Sequence, residues 1–382
     1  MKRMGIVLLA AALLFGVAAC GRPNLNDTPP VQTTGAVEEN NNADEGARTV
    51  VDVWGREVVI KRTVERIVCL GSGAPRLAAY LGAMDMLAGV EDHDAKEMTV
   101  LRDYSPVYQS TMKDLPAVGA GGGSGGNNAY PEELIMLAPD VILAGFSAEA
   151  AAELQTQTGI PVVAVRYVSN GLANESFYSA MRVFAEVVNA QTRCESVLNY
   201  IDACKADLSE RTAGVLNEQK LRAYTGAVTF SGKHGFTGTY SKFGPFDAIH
   251  AINVADEAAQ EGYYETDFEK ILAWDPDVIF LDPGNMHLVA EEYAGNPAYF
   301  AAVRAVREGN VYTMPSFNNC GMNMTYALMN AYYAGIVLFP EQFEDVNIEE
   351  ISGDILTFFL GENTYSAMAD GGLYYGKITI GA

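Results

Sequence analysis

The sequence predicts an α/β protein of two lobes, each with a mainly parallel sheet flanked by helices, joined by one long rigid helix. One observation behind this prediction is a repeat: a glutamate, an apolar helical stretch and Pro-Asp-Val-Ile occur from Glu132 and again from Glu269. The copies are too far apart for a solenoid repeat, and their separation suits two similar lobes. The other observation is the longest helical pattern of the chain, at about 175–211, which contains no glycine or proline and lies between the copies.

Each copy of the repeat predicts a helix that leads into a parallel strand. Apolar residues at helical spacing run into a proline, which cannot continue a helix. The β-branched runs that follow, over 141–143 and 278–280, are typical of strands buried on both faces. The glutamate at each helix start can simply complement the helix dipole. Alternatively, the two lobes present matching acidic side chains to one partner.

The start of the chain predicts a signal peptide over residues 1–20. Lys2 and Arg3 precede an apolar stretch that is too short to span a membrane comfortably. The run from Val17 to Cys20 resembles a bacterial lipobox, in which the cysteine is acylated and anchors the mature protein by lipid alone. We therefore expect an extracytoplasmic protein anchored to the cell membrane, facing the periplasm or the outside. An ordinary signal peptide with an incidental Cys20 is the alternative.

Residues 21–48 predict a flexible tether, because they contain scarcely any apolar residue and cannot bury enough surface to fold. The 382-residue chain carries a formal net charge of −23, which repels nucleic acid and anionic lipid headgroups. We therefore expect no nucleic-acid partner.

Alternating strand and helix patterns predict a first lobe over 49–173, a linking helical region over 174–212 and a second lobe over 213–382. The elements expected in the first lobe are a hairpin at 50–60 turning at Gly55-Arg56, strands at 66–73, 87–92 and 159–167, and a helix at 76–87. The elements expected in the second lobe, besides its copy of the repeat, are strands at 220–230 and 310–315 and helices at 322–337 and 348–360.

The cysteines beyond Cys20 predict no disulfide. Cys69 lies in a strand pattern and should be buried. Cys194 and Cys204 lie on one predicted helix, too far apart to bridge each other. No spacing that includes Cys320 resembles a zinc site.

These features together resemble the class III solute-binding proteins of ABC importers, which serve ferric siderophores, haem and vitamin B12. The resemblance covers nearly all of residues 50–361. It is carried by the two repeat units and by the motifs DVWGREVVI followed by RIVCL, LGAMDMLAGVE, NPAYFAAVRAVREGNVYTMP and AYYAGIVLFPEQF. It implies that Glu132 and Glu269 dock on arginines of a permease dimer that works with its ATPase. It also implies limited closure of the lobes.

The ligand site is expected beyond the carboxyl ends of the strands, between the lobes. Ordinary loop polarity or helix capping explains each strand-end residue equally well when it is taken alone. The residues nominated by this rule are Ser72, Arg76, Phe146, Arg166, Tyr167, Lys233, His234, Tyr240, Asn285, Asn318, Asn319 and Cys320.

Arg76, Arg166 and Lys233 predict a cationic cleft in a strongly acidic protein. Such a cleft favours an anionic ligand, either a ferric chelate or an oxyanion such as molybdate or tungstate. It makes a neutral corrinoid less favourable.

Other chemistry is not favoured by the sequence. The run Gly121 to Gly126 fits GxGxxG, but no buried strand leads into it, so we interpret it as a loop at the mouth of the cleft. His93, His234, His250 and His287 show no paired spacing, which argues against capture of a bare metal ion. His250 lies in an apolar run typical of a core residue, whereas His234 follows a strand and is the better ligand candidate.

The function predicted is therefore that of the extracytoplasmic solute-binding component of an ABC importer. It would be a monomer that captures a metal chelate, most simply of the ferric siderophore type, and delivers it to the permease without chemistry or a cofactor. The alternatives are an oxyanion, corrinoid or haem binding protein of the same importer class, a metal-cluster or chelatase-like enzyme on the same fold, and a signalling or adhesion lipoprotein.

Overall fold

Residues 46–381, apart from 97, 123–127, 169 and 170, are described by the structure, which is a computed structural model. The predicted signal peptide, the lipobox cysteine Cys20 and residues 21–45 of the predicted tether lie outside these residues. So do residues 123–127 of the glycine-rich run. In the part of the chain that is described, no helix has both the length and the apolar character needed to cross a membrane.

The predicted hairpin is confirmed. Strands β1 (Ala47–Val51) and β2 (Glu57–Lys61) pair antiparallel, and Gly55 in the turn has a φ of 77°, which favours glycine. The hairpin begins two residues before the expected start of the lobe. Arg48 in β1 fixes it to the body of the protein, because its guanidinium donates to the backbone carbonyls of Glu186 and Val187 at 2.9 and 2.8 Å.

The first lobe is built on a four-stranded parallel sheet with the order β4-β3-β5-β6, as the alternating pattern predicted. Every residue of β3 and β5 is buried, which explains their uninterrupted apolar sequences. The helix expected at 76–87 is shorter, because Gly82 adopts a φ of 69° and a 3-10 turn follows at Met84–Met86. The elements of this lobe after the hairpin are β3 (Ile67–Leu70), α1 (Ala74–Tyr80), β4 (Leu87–Gly89), α2 (Asp92–Lys96), α3 (Ser105–Met112), α4 (Pro131–Leu137), β5 (Val141–Ala144), α5 (Ala148–Thr158) and β6 (Val162–Ala164).

The linking region contains two helices, so the prediction of a single helix over 175–211 is wrong. Helix α6 (Glu175–Val188) ends at Asn189, whose φ of 57° is left-handed, and α7 (Gln191–Thr212) begins two residues later. Asparagine adopts this conformation more readily than most residues, so it can end a helix where no glycine or proline marks the end. Helix α7, with 22 residues, is the long helix of the linker.

The second lobe is built on a five-stranded sheet with the order β13-β12-β11-β7-β9, in which only β13 is antiparallel to its neighbour. Strands β8 and β10 form a separate antiparallel pair. Three 3-10 turns lie at Asn217–Gln219, Val254–Glu257 and Pro283–Asn285. The strands and helices are β7 (Arg222–Gly226), β8 (Gly238–Ser241), α8 (Gly244–Asp247), β9 (Ile252–Asn253), β10 (Gly262–Glu265), α9 (Phe268–Trp274), β11 (Val278–Leu281), α10 (Met286–Gly295), α11 (Pro297–Ala302), α12 (Arg304–Arg307), β12 (Val311–Thr313), α13 (Met324–Leu338), α14 (Ile348–Leu360), α15 (Tyr365–Asp370) and β13 (Gly376–Ile378).

The repeated sequence unit forms the same structure in both lobes, a short helix followed by a buried strand: α4 with β5, and α9 with β11. The aspartate of each Pro-Asp pair explains why the unit is repeated. Asp140 accepts the backbone N–H groups of Glu65 and Arg66 at 2.9 Å each, and Asp277 accepts that of Arg222 at 2.7 Å. Each aspartate therefore anchors the start of the neighbouring strand, β3 or β7.

The two lobes are joined by more than the linker. Helix α13 packs on α7, α8 and α14, and α14 packs on α1 of the first lobe. The guanidinium of Arg193 on α7 donates to the carbonyl of Tyr80 at 3.0 Å and lies over the ring of Phe358, 4.7 Å from its centroid. The chain then returns to the second lobe, where β13 pairs with β12.

Each lobe has its own apolar core. Cys69 is buried in β3, as expected, and Cys194 and Cys204 lie on one helix, α7, as expected, where both are buried. These three cysteines and the partly exposed Cys320 are free thiols.

Candidate ligand-binding cleft

The loops that follow the carboxyl ends of the strands in the two lobes contact each other. The segment 71–76 follows β3, and the segment 314–323 follows β12. A Cβ on Gly321 would lie 3.1 Å from the Cα of Gly73, so the two backbones approach closely. Tyr167, which follows β6, donates its hydroxyl to the carbonyl of Met322 at 3.4 Å. The cleft therefore lies where the strand-end rule places it.

Arg76 lies inside this contact and is fully buried. Its Nε pairs with Asp103 at 2.9 Å, and its terminal nitrogens donate to the carbonyls of Cys320 and Asn319 at 2.9 Å and to Oδ1 of Asn323 at 2.7 Å. We expected Arg76 to offer its charge to a ligand. The structure instead surrounds the guanidinium with protein acceptors, so it holds the two lobes together.

Asp103 extends this network between the lobes. Its carboxylate accepts the hydroxyl of Tyr80 and, at 2.8 Å, that of Thr325 at the start of α13. Its backbone N–H donates to Oδ1 of Asn323 at 3.1 Å. The buried charges of Arg76 and Asp103 are thus both paired and hydrogen-bonded, which a buried ion pair requires.

A small recess lies between the lobes on the side of the first sheet. It is lined by the glycine-rich turn after β3, by residues near α2 and by Cys320. The carboxylate of Glu91 accepts the backbone N–H of Gly71 at 2.9 Å. Burial raises the pKa of Glu91 to about 7, and Asp94 contributes to the rise while the bond from Gly71 opposes it.

A thiol and an imidazole meet in this recess. Sγ of Cys320 lies 3.1 Å from Nε2 of His93. Burial lowers the pKa of the His93 imidazole and raises that of the Cys320 thiol, so both groups are neutral at neutral pH. Histidine spacing alone did not identify His93 as a cleft residue. The rule that nominated the other residues would also have found it, because it follows the carboxyl end of β4.

A second small recess lies at the strand ends of the second lobe. Asp282, which follows β11, accepts the hydroxyl of Thr229 at 2.8 Å and the backbone N–H of Gly284 at 2.9 Å. Burial raises the pKa of Asp282. Asn285 is fully buried and donates to the carbonyl of Ala227 at 2.7 Å. It therefore orders the loop instead of facing a ligand, contrary to our expectation.

Aromatic rings form a wall beside the second recess. Phe230 stacks on Tyr263, with centroids 5.3 Å apart, and meets Tyr240 edge to face at 5.8 Å. Phe317 lies 6.5 Å from Tyr240, whose hydroxyl accepts the side-chain amide of Asn318 at 3.3 Å. Phe230 is 40% exposed, so this wall offers an apolar surface to a ligand.

His234 and Lys233 lie on the rim of the second lobe. Nδ1 of His234 is 2.6 Å from the hydroxyl of Tyr263 and 2.8 Å from Glu265, and its Nε2 is 2.9 Å from the carbonyl of Phe230. Lys233 is exposed and donates to the carbonyl of Gly284 at 3.1 Å. Both ring nitrogens of His234 are thus already engaged.

Two of the remaining nominated residues, Ser72 and Tyr167, lie at the cleft. Ser72 and Tyr167 are partly exposed beside the contact between the lobes. Arg166 is partly exposed after β6, and its guanidinium has no recorded partner within the described part of the chain. Phe146 is fully buried in the core of the first lobe, where its carbonyl accepts the indole N–H of Trp54 at 2.9 Å. The side chain of Phe146 therefore packs away from any ligand, contrary to our expectation.

The acidic side chains, histidines and cysteines do not gather into a site for a bare metal ion. Among the residues that the structure describes, no group of three or more of them could hold one.

A sequence profile of the periplasmic binding protein family matches residues 67–317, which is well over half of the chain. The chain belongs to this family, whose members are extracytoplasmic solute-binding proteins of ABC importers and not enzymes. No curated protein matches the chain at the sequence level.

Solved structures share the fold. A periplasmic solute-binding protein from Veillonella parvula is 17% identical, with 86% of this chain and 97% of that chain covered and a TM-score of 0.66. The molybdate-binding protein MolA from Haemophilus influenzae, bound to molybdate, is 19% identical, with coverage of 83% and 98% and a TM-score of 0.63. The TroA-like periplasmic binding protein FepB from Veillonella parvula is 17% identical, with coverage of 87% and 99% and a TM-score of 0.63. At these identities, the similarity shows only that the fold is shared.

Proposed function

We propose that this protein captures a metal chelate between its lobes and delivers it to the permease of an ABC importer. The observation that carries the proposal is the pair of recesses at the facing strand ends, with Arg166 after β6 in the first lobe and the aromatic wall of Phe230, Tyr240, Tyr263 and Phe317 beside the recess of the second lobe. A cation and aromatic rings together suit an anionic chelate with an apolar or planar organic part. A chelate of the ferric siderophore type has this chemistry.

The proposed delivery surface is formed by the first turns of α4 and α9. Glu132 and Glu269 are exposed at equivalent positions of these two helices, at the second residue of each. Beside Glu132, Ile135 and Met136 are 51% and 72% exposed, which adds an apolar surface on the first lobe. Matched carboxylates on two lobes suit basic side chains on two subunits of a permease dimer.

We further propose that acylated Cys20 anchors the protein to the membrane and that the protein acts as a monomer. The support is the lipobox-like run from Val17 to Cys20 and the polar sequence that follows it.

A second cargo is an oxyanion such as molybdate. The observation that favours it is the guanidinium of Arg166, which has no recorded partner among the described residues and could bind two oxygens of such an anion. The similarity of fold to MolA, whose structure contains molybdate, is consistent with this candidate.

A thermal-shift screen tests the proposal. The purified protein would be heated with ferric siderophores, haem, corrinoids, molybdate and tungstate, because a ligand that binds the native state raises its apparent stability. We expect at least one metal chelate to raise the melting temperature, and Arg166→Gln to reduce that shift. A shift with the oxyanions alone would replace the chelate by the second candidate. No shift with any of these compounds would contradict the proposal.

A further inference from the structure

The contact between Cys320 and His93 joins two metal-binding side chains across the lobes. Cys320 comes from the loop after β12, and His93 comes from the start of α2. Nothing in the local sequence requires them to meet, yet Sγ and Nε2 are 3.1 Å apart. We infer that Cys320 and His93 bind the metal centre of the cargo directly, as two adjacent ligands of a borderline or soft metal ion. The inference rests on the proposed function, in which the cargo is a metal complex.

The distance between the two donor atoms suits this role. A thiolate sulfur about 2.3 Å and an imidazole nitrogen about 2.0 Å from one ion lie about 3.0 to 3.5 Å apart for angles from octahedral to tetrahedral. The observed 3.1 Å falls in that range, so a metal ion can replace the hydrogen bond with little movement. Thiolate and imidazole together favour zinc, copper, nickel, cobalt or iron over magnesium and calcium.

Buried arginines hold the backbone of both residues in place. Nη1 of Arg76 donates to the carbonyl of Cys320 at 2.9 Å, and Nη2 of Arg102 donates to the carbonyl of His93 at 3.0 Å. Arg76 is 0% exposed and Arg102 is 2% exposed. The two ligands are therefore preorganised by both arginines, and the guanidinium of Arg102 also donates a hydrogen bond to the thiol sulfur of Cys320.

Two protein ligands define the class of cargo. Sites that hold a bare zinc ion use three or four protein ligands, and the described residues contain no group of three or more that could hold a metal. Cys320 and His93 therefore suit an ion whose other positions are filled by its own chelator. A chelate that fills every position of its metal leaves no place for either residue. The inferred cargo is a metal complex with two adjacent open or exchangeable positions.

The recess beside the two donor atoms is small, so only the metal ion itself would enter it and the chelator would stay outside. Its free volume of about 10 Å³ is close to the space that one water molecule needs. Gly122 lines it beside the ring of His93, whereas Gly71 and Gly73 pack closely against the rings of Phe146 and Tyr167. On coordination the thiol of Cys320 would release its proton to solvent, as metal binding by cysteine requires.

Two cobalt(II) complexes test the inference on the purified full-length protein without a histidine tag. Nitrilotriacetate leaves two adjacent positions of cobalt open, whereas ethylenediaminetetraacetate leaves none. We expect the nitrilotriacetate complex to bind the wild-type protein and to give a thiolate-to-cobalt charge-transfer band. Cys320→Ser should lose the band and bind more than about tenfold more weakly, and His93→Gln should also weaken binding. His287→Gln, which changes an exposed histidine elsewhere, should behave as wild type.

The inference is overturned if the wild type shows no band, if Cys320→Ser binds as tightly as wild type, or if the ethylenediaminetetraacetate complex binds equally well. A thermal shift with a fully saturated ferric siderophore that survives in Cys320→Ser would also overturn it, while leaving the proposed function in place. Failure of the proposed function has a separate signature, the absence of any shift across the ligand screen.

Discussion

Arg76 and Asp103 form a fully buried ion pair, and its partners belong to both lobes. Besides Asp103, the guanidinium of Arg76 donates to three acceptors in residues 319–323 of the second lobe. Removing one member of a buried pair leaves the other charge without compensation, which costs much more than the loss of a surface pair. The stability of this contact is therefore concentrated in a few residues.

We predict that Arg76→Met destabilises the protein by about 3 to 5 kcal/mol, because Asp103 would remain buried and unpaired. The matched control is Arg182→Met. Arg182 pairs with Glu195 at 3.1 Å, but both side chains are about half exposed, and surface pairs contribute at most about 1 kcal/mol. Equilibrium unfolding in urea measures both. Equal effects of the two substitutions would show that the buried pair contributes no more than a surface pair.

Asp282 makes the stability depend on pH. Burial raises its pKa in the folded protein above the ordinary value of 3.8, so the folded state binds its proton more tightly than the unfolded state does. The ionised carboxylate therefore costs stability, and this cost is absent at a pH well below 3.8 and complete above the raised pKa.

We predict that wild type loses stability relative to Asp282→Asn as the pH rises from below 3.8 through the raised pKa. The asparagine cannot ionise and retains an oxygen that accepts the N–H of Gly284, and the Thr229 hydroxyl can turn to accept from its amide. Urea unfolding at a series of pH values measures the difference. Parallel pH profiles for the two proteins would contradict the prediction.

The sequence located the cleft better than it assigned the side chains within it. Ser72 and Tyr167 lie at the cleft because strand ends are a local signal. The guanidinium of Arg76 binds the carbonyl of Cys320, which lies 244 positions later in the chain, and no local pattern reveals this contact. Phe146 and Asn285 follow strands as predicted, but both are fully buried. Phe146 packs in the core of the first lobe, and Asn285 supports a loop.

Helices α4 and α9 each carry a glutamate of the sequence repeat in their first turn. Each is seven residues long, and the side chains of Glu132 and Glu269 are exposed. Their sequence likeness has a structural origin in Asp140 and Asp277, which anchor the neighbouring strands. That anchoring does not involve the glutamates, so their exposed side chains are available to contact a partner.

We predict that Glu132→Lys combined with Glu269→Lys abolishes uptake while ligand affinity stays unchanged, because reversed charges would repel a basic permease surface. Glu153→Lys on α5, which also changes an exposed glutamate, is the control and should retain uptake. Uptake of labelled ligand by cells and calorimetry on the purified variants provide the two measurements. Normal uptake by the double variant would remove these residues from the docking surface.

Periodicity predicted most elements but not every end. The hairpin, the two helix-strand units and helices α13 and α14 follow from local spacing of apolar residues. The break between α6 and α7 escaped prediction because Asn189 is tolerated inside helices as well as at their ends, and only its left-handed φ of 57° distinguishes the two. The two-residue gap is also too short to disturb the apolar pattern.

At the scale of the whole molecule, the lobes approach each other at a second point, where two glycines meet. A Cβ on Gly244 would lie 2.3 Å from the Cα of Gly171, so neither position has room for a side chain. Because the obstacle is backbone, it cannot move aside as a flexible side chain does.

We predict that Gly244→Ala destabilises the protein by about 1 to 3 kcal/mol, as overpacking does, because the added methyl group forces the lobes apart at this point. Gly214→Ala is the control, since a Cβ there meets nothing within 4 Å, and it should change stability by less than about 1 kcal/mol. Urea unfolding compares the two variants. A neutral Gly244→Ala would mean that the lobes can separate here without cost.

The position of β13 has a consequence for the order in which the protein folds. The strands of the first sheet are contiguous in the chain, so that sheet can assemble early during synthesis or export. The second sheet must wait for a strand that emerges only after α13, α14 and α15. Until then β12 is an uncovered edge with unpaired backbone groups, which is a template for aggregation. The last strand to emerge therefore sets how long this edge stays exposed.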